Sequence, residues 1–407
     1  MSPATYRAGA FLDAARTLGL EVIQALDLPE ALQAEWNVPL GVAFSDPDAA
    51  AARIVAGARH RPIDAVVAVD DSATLVQAKA SAALGLPHND PESALAARDK
   101  FVMRERFAAA GVPVPEYRRV PASLDPASIA GELAYPCVVK PLRLSGSRGV
   151  IRADDPSGFC RAFERTRRIV VGNGEAPEHA FLLVERYLPG VEVALEGLLS
   201  GGELRVLALF DKPDPLEGPF FEETIYITPS RLPTVTQAAV AERTAEAAGA
   251  VGLREGPIHA ELRINDEGVW PIELAGRSIG GLCSTVLEFG AGVSLETLIL
   301  RHAVGLPLPD LDERQEAAGV MMIPIPKGGM LRGVEGLEAA RAVKHVTGIE
   351  ITAKLNQPLV PLPEGASYLG FIFARAGAPD EAEAALREAH AKLGFRIDPL
   401  IALTMQG

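Results

Sequence analysis

Two short, mostly apolar runs, Ile258 to Ile264 and Val269 to Leu274, flank the tetrapeptide Asn265-Asp266-Glu267-Gly268. This stretch constrains the fold more than any other. Asn, Asp and Gly accept the positive φ of a tight reversal, and the flanking runs have the length of strands. The spacing predicts an antiparallel hairpin. Each strand carries one carboxylate among apolar neighbours, Glu261 and Glu273. Counting outward from the turn sets them opposite each other, with about 5 Å between the Cβ atoms of such a pair. Like charges so placed repel unless a cation lies between them, and a few hard oxygen ligands with other positions open suit Mg²⁺. A solvated hairpin whose acids face water shows the same pattern. The sequel favours ligands: Arg277 offers a planar fork for phosphate or carboxylate, and Ser278-Ile279-Gly280-Gly281 lets backbone approach closely. A metal pair, an arginine and a glycine turn read as a phosphoryl-transfer site.

The chain's 407 residues suggest roughly two to four domains. With 48% hydrophobic and 23% charged residues it can bury substantial cores and is not a disordered chain. A net charge of −14 argues against a nucleic-acid partner, which a basic patch would have to attract. Arg161, Arg165, Arg167 and Arg168 cluster at helical spacing and read as a solvated helix face. Cys137, Cys160 and Cys283 show no ligand spacing and read as buried residues in a reducing cytosol. No signal peptide is evident and no apolar run reaches about 18 residues, so the reading is a cytoplasmic protein with no membrane partner.

Residues 5–95 alternate helical and strand patterns: helices over Tyr6 to Leu18, Asp46 to Arg59 and Ser72 to Leu84, strands over Glu21 to Ala25, Pro39 to Phe44 and Ala65 to Val69. That alternation implies a parallel sheet with helices on its faces. Met1 to Thr5 is too short and polar for the strand that normally opens such a sheet, so that strand is missing or the true start lies upstream. Asp70 and Asp71 fall where open α/β sheets bind ligands, and equally where a helix is capped. A helix from Asp99 to Ala110 carries Lys100, and Tyr135 to Lys140 reads as a buried strand ending in lysine. The loop Leu142 to Val150, with Ser145, Gly146, Ser147 and Gly149, has backbone N–H groups able to cradle phosphate, although a plain turn fits it too. Phe181 to Val184 ends at Glu185-Arg186-Tyr187-Leu188, and the next strand, Val191 to Leu199, bears Glu192 and Glu196. Asp211 to Arg231 is predicted to be a long loop between the strand Leu204 to Phe210 and the helix Val235 to Val251. After the helix Leu295 to Ala303, residues 310–407 predict a small α+β domain with strands near Ala317 to Ile325, Gly348 to Ala353, Tyr368 to Ala374 and Phe395 to Ile397, and a helix Pro379 to Leu393.

These pieces in this order resemble the ATP-grasp family, and within it the carboxylate-amine ligases that include dipeptide-forming L-amino acid ligases. The resemblance implies an α/β and α+β fold with three parts: a Rossmann-like pre-ATP-grasp domain over 1–95, an ATP-grasp domain over 96–305 (small lobe about 117–188, large lobe about 189–305), and a C-terminal extension over 306–407. It implies ATP as substrate with Mg²⁺, or Mn²⁺ in its place. Lys100 and Lys140 match the residues that hold the α- and β-phosphates, Ser145 to Gly149 the loop over the γ-phosphate, Glu185 to Leu188 the adenine hinge and Glu192 the ribose ligand. Glu261 and Glu273 match the metal ligands and Arg277 the arginine at the acyl phosphate, so Arg277, Lys140 and Ser147 are the expected catalytic set. His259, Arg277, Gly280 and Gly281 are expected at the substrate, as are Asp214 and Glu223 of the 211–231 loop. His259 can equally be a satisfied core residue, and the acids of the loop solvated. Ala275 stands where the family often has a third ligand, Asn. The implied reaction phosphorylates a carboxylate and lets an amine attack the acyl phosphate. A homodimer is compatible with the resemblance, as are two other readings: a purine-pathway or biotin-carboxylase-like enzyme, and a nucleotide-binding protein without catalysis.

Overall fold

The computed structural model describes residues 1, 5–28, 32, 40–176, 178–289, 292–309 and 316–400. Helix α1 (Ala8–Thr17) leads to the parallel pair β1 (Ala25–Asp27) and β2 (Leu40–Val42), then α2 (Pro47–Ala58) and α3 (Thr74–Leu84). Asp46 caps α2 by accepting from Ala49 N, and Pro47 fills the first turn where its missing N–H costs nothing. The expected strand at Ala65 to Val69 belongs to no ladder among the described residues, and the Val69 carbonyl accepts from Arg7 instead. The strand expected over Glu21 to Ala25 forms later, as β1, and the predicted start at Pro39 lies outside the described residues, as do 2–4 of the missing-strand segment. Met1 itself lies beside β1, donating to Ala25 O and accepting from Asp27 N.

Helix α4 (Pro91–Arg98) precedes α5 (Lys100–Ala109), whose cap Asp99 accepts from Phe101 N and Val102 N, so Lys100 stands in the first turn of α5. Strands β3 (Tyr117–Pro121), β4 (Cys137–Pro141), β5 (Ile151–Ala153) and β6 (Phe181–Arg186) form one antiparallel sheet in the order β3-β6-β4-β5, with α6 (Pro156–Gly172) packed through Phe159 and Phe163 on its apolar face. A larger sheet begins with β7 (Val191–Ser200), β8 (Glu203–Asp211) and β9 (Ile225–Thr228), followed by α7 (Thr234–Val251), β10 (Gly256–Asn265) and β11 (Gly268–Ala275). The short pair β12 (Glu288–Phe289) and β13 (Val293–Ser294) precedes α8 (Leu295–Ala303). The remainder is β14 (Ala317–Ile323), β15 (Gly329–Glu335), α9 (Leu337–Arg341), β16 (Val346–Ile351), β17 (Pro358–Leu359), β18 (Gly370–Ala376), α10 (Pro379–Ala391) and β19 (Gly394–Asp398).

The large sheet has eight strands in the order β11-β10-β7-β8-β9-β14-β18-β16. Residues after the expected boundary at Gly305 to Pro309 therefore extend the sheet that carries the hairpin, and only β17-β15-β19 form a sheet apart. The segment 211–231 is not all loop: its Ile225 to Thr228 is the strand that joins β8 to β14, because four consecutive buried residues there have ladder partners. Along β7 the side chains alternate faces, as a strand requires. Val193 and Leu195 enter the core beneath α5 and α7, while Ala194 and Leu198 enter the core shared with α8 and β18.

The loop after β4 is fastened to the C-terminal part. Gly149 N donates to Pro363 O at 2.8 Å, Arg148 Nε to Glu364 O at 2.8 Å, and Arg165 makes a two-pronged pair with the Glu364 carboxylate. Arg165 and Glu364 are both well exposed, so the pair contributes little to global stability, about 0.2–1 kcal/mol, and acts locally. Glu364→Ala should leave the melting temperature nearly unchanged while speeding amide exchange at Gly149 and Val150. Unchanged exchange there would contradict a fastening role.

Candidate active site

A cavity of about 510 Å³ opens between the four-stranded sheet, the hairpin and the two ends of the chain. At one end Pro115, Val138, Leu188 and Ile272 line it; at the other, Tyr6, Met322 and Phe371.

The first charged group in it is built on β6. Glu185 is almost fully buried and cannot be solvated, so it is neutralised from two sides. Arg104 Nε, from α5, donates to Oε1 at 2.6 Å, and Lys140 Nζ, at the end of β4, lies 2.5 Å from Oε2. Burial opposes the Glu185 charge, yet the two cations hold its carboxyl at about 2. Arg104 Nη2 also donates to Ile272 O of β11 at 2.7 Å. Burial lowers the pKa of Lys140 in spite of Glu185. Lys100 Nζ donates to Leu144 O at 2.9 Å and to Glu273 Oε1 at 3.2 Å, which ties α5 to the loop after β4 and to the hairpin.

The second group is centred on Lys212, which the sequence reading passed over. Its ammonium lies 2.8 Å from Glu192 Oε1 and 3.4 Å from Glu261 Oε1 and is also bonded to Glu223. Glu192, Glu223 and Glu261 bring carboxylate oxygens within 4.8 Å of one another, a set that differs from the expected pair Glu261 and Glu273. Burial and the charge of Glu261 push the Glu223 carboxyl up to about 7 against the pull of Lys212. Glu261 is held well below the carboxylate range, because Lys212 and His259 outweigh the cost of burial. Glu192 also accepts from Arg263 Nε at 2.8 Å, so both its oxygens are engaged. A lone lysine closing the apolar strand β8, in cross-strand reach of Glu192, was the signal available in the sequence.

The hairpin has the expected register: Glu261 and Glu273 are directly opposed. His259, two residues before Glu261, bonds Glu196 through Nδ1, and its Nε2 lies 3.5 Å from Glu261 Oε1. Glu196, fully buried, accepts from Ile279 N at 3.0 Å as well and thereby ties the histidine to the turn after Arg277. Arg277 Nη2 donates to Asp71 Oδ2 at 2.8 Å, which makes the N-terminal part a wall of the site.

Ser145, Gly146 and Ser147 line the cavity, as do Arg186, Tyr187, Leu188, Gly280 and Gly281. Two expected residues do not. Gly149 faces away, its Cα so close to Pro141 that an added Cβ would lie 2.7 Å from Pro141 Cγ. Asp214 is turned outward by its bonds to Thr224 and to Arg387 Nη2, the latter at 2.6 Å. Of the acids expected at the substrate, only Glu223 reaches the cavity. Ala275, cross-strand from His259, also lines it and offers no ligand oxygen.

Residues 133–286 match the ATP-grasp domain, 12–88 the ATP-grasp N-terminal domain and 321–398 the L-amino acid ligase C-terminal domain 2. The chain is built of ATP-grasp-type domains. The solved L-amino acid ligase from Bacillus licheniformis superposes with a TM-score of 0.77 at 27% identity, covering 96% of this chain and 95% of that one. Among curated proteins, an uncharacterised protein of Sinorhizobium fredii is 26% identical over 77% of this chain and 64% of its own length. The alanine–anticapsin ligase of Bacillus subtilis is 28% identical over 49% of this chain and 45% of its own length. The chain thus spans between about half and two thirds of the length of these two curated relatives.

The ATP-grasp match contains Lys140, Glu185, Lys212, Glu261, Glu273 and Arg277, whereas Lys100 and Asp71 come from outside it. Among the described residues no helix is long and apolar enough to cross a membrane. Burial opposes the charge on His259, but Glu196 outweighs it and raises the imidazole from 6.5 to about 9. A group whose folded pKa is raised contributes stability fully below the unfolded value and loses it as pH rises through the folded one. The melting temperature should therefore fall from pH 6.5 to 9, with a flatter profile in Glu196→Gln. Parallel profiles for parent and variant would contradict this assignment.

Proposed function

We propose that this chain is an ATP-dependent carboxylate-amine ligase that joins the carboxylate of one amino acid to the amine of a second, through an acyl phosphate, with release of ADP and phosphate. The observation that carries this reading is the continuity of one cavity. Lys100, Lys140 and the Ser145 to Ser147 loop line it, and so do Glu261, Glu273 and Arg277. Likeness to the L-amino acid ligase over nearly the whole chain supports it.

In this mechanism a carboxylate oxygen attacks the γ-phosphorus while the bond to the β-bridging oxygen breaks, and ADP leaves. The amine then attacks the acyl carbon, the carbon–oxygen bond to phosphate breaks, and the amine loses a proton. Lys100 and Lys140 neutralise phosphate oxygens at the point where charge shifts, which costs little reorganisation because Glu185 and the Leu144 carbonyl already orient them. Arg277, steadied by Asp71, presents its fork to the carboxylate and later to the acyl phosphate. The loop over Ser145 to Ser147 excludes water that would hydrolyse the acyl phosphate.

Glu261 and Glu273 fit a divalent cation: they are directly opposed, they border the cavity, and Glu261 is held ionised. Mg²⁺ bound there would supply charge neutralisation to the transferring phosphoryl group. Ala275 adds nothing to that set, so the phosphates would complete the coordination.

The test is ADP and phosphate release with ATP, Mg²⁺ and mixed amino acids. Release should require the amino acids. Glu273→Gln should lower turnover roughly 10–100-fold or more, most severely at limiting Mg²⁺. Undiminished turnover in that variant, or release that ignores amino acids, would contradict the proposal.

A further inference from the structure

Four residues past Arg277 the cavity meets a wall built largely by the C-terminal part of the chain. Met322 of β14 and Phe371 of β18 are direct cross-strand partners, so their side chains share one face of the large sheet. The Tyr6 and Tyr368 rings pack edge-on against Phe371 at 6.4 and 6.1 Å between centroids. Gly281 brings the turn that carries Arg277 into contact with the same ring: a Cβ there would lie 3.2 Å from Phe371 Cε1 and Cζ. Cys283, buried, completes the surface.

The charges nearest this wall already have partners. Arg7 donates to Val69 O and to the Ser278 hydroxyl and carbonyl. Glu223 is bonded to Lys212 and accepts from the Tyr226 hydroxyl at 2.8 Å. An acidic ligand group would have to draw Arg7 away from Val69, Ser278 and Glu296 and would face Glu223. A basic group would have to compete with Lys212. An apolar group would meet three aromatic rings, a thioether and a thiol, of which Phe371, Met322 and Cys283 are fixed in the core.

We propose that this wall receives the side chain of the amino acid whose carboxylate is activated, and that the protein selects a large apolar or aromatic side chain there. This rests on the ligase reading above. It also moves substrate choice away from Asp214 and the 211–231 loop, which the sequence sets at the substrate together with Arg277, Gly280 and Gly281. A preformed apolar pocket discriminates by methylene-scale contacts, roughly 10–100-fold between a filled and an unfilled pocket. Met322, Phe371 and Cys283 are buried in the core and need no ordering when a side chain enters.

The experiment titrates glycine, alanine, leucine, phenylalanine, aspartate and lysine, one at a time, into the full chain with MgADP by calorimetry. In parallel, ADP formation is measured with the same amino acids. Leucine and phenylalanine should bind at least roughly tenfold tighter than glycine, aspartate or lysine. Met322→Ala should erode that preference by a similar factor. Met322 lies in the core, so Tyr368→Ala, at a partly exposed position, is the second variant; it should weaken phenylalanine while leaving MgADP affinity unchanged. Equal binding of aspartate and phenylalanine, or an unaltered ranking in both variants, overturns the proposal. If the ranking holds but no ADP forms, the wall assignment stands and the ligase reading falls. If ADP forms equally with every side chain, the ligase reading stands and the wall assignment falls. Binding of none of the six overturns both.

Discussion

Glu185 is the residue on which the rest of the site depends. Its carboxylate has almost no contact with water, and it persists as an ion only because Arg104 and Lys140 close on it from different elements. Arg104 extends the grip to the Ile272 carbonyl, so one charge group links α5, two strands of the small sheet and an edge strand of the large one. Buried charge groups of this kind contribute little net stability compared with apolar packing, but removing one partner costs about 3–5 kcal/mol because the others are left uncompensated. That asymmetry makes the group a positioning device. It holds the Lys140 ammonium at the start of the loop after β4 and sets the small sheet against the hairpin.

The same logic repeats deeper in the cavity. Lys212 among Glu192, Glu223 and Glu261, Lys100 beside Glu273, and Arg277 on Asp71 each place a cation against carboxylates rather than against solvent. On the proposed reading, an incoming triphosphate competes with these carboxylates for the lysines, and the carboxylates it releases are the ones suited to a divalent cation. A strongly acidic chain can therefore accept a polyanion without a basic patch, because its cations are stored in pairs inside the cleft. The His259-Glu196 pair then ties the hairpin to the turn after Arg277.

Much of this was legible in the sequence, and the reasons are local. The Asn265 to Gly268 turn set the register that opposes Glu261 to Glu273, since a side-chain period of two leaves little freedom once the turn is placed. Lysine at the end of an apolar strand identified Lys140. What stayed hidden depends on long-range pairing. Arg104 is an ordinary helical arginine until β6 brings Glu185 to it. Lys212 is one lysine in an acid-rich stretch until β7 lays Glu192 alongside. The strand Ile225 to Thr228 was lost inside what read as a Pro-rich loop, and the continuity of β14, β18 and β16 with the hairpin sheet carries no local signal at all. Asp214 looked like a substrate ligand only because Arg387, far along the chain, was invisible as its partner.

Oxygen labelling shows whether the cavity transfers phosphate from ATP to a carboxylate. An amino acid carrying ¹⁸O in its carboxylate would be incubated with the protein, ATP and Mg²⁺, and the released phosphate analysed by mass spectrometry. Transfer to the carboxylate should leave one ¹⁸O per phosphate, carried over when the acyl carbon–oxygen bond breaks. Phosphate released without label would mean that water, and not a carboxylate, takes the phosphoryl group, and would contradict it.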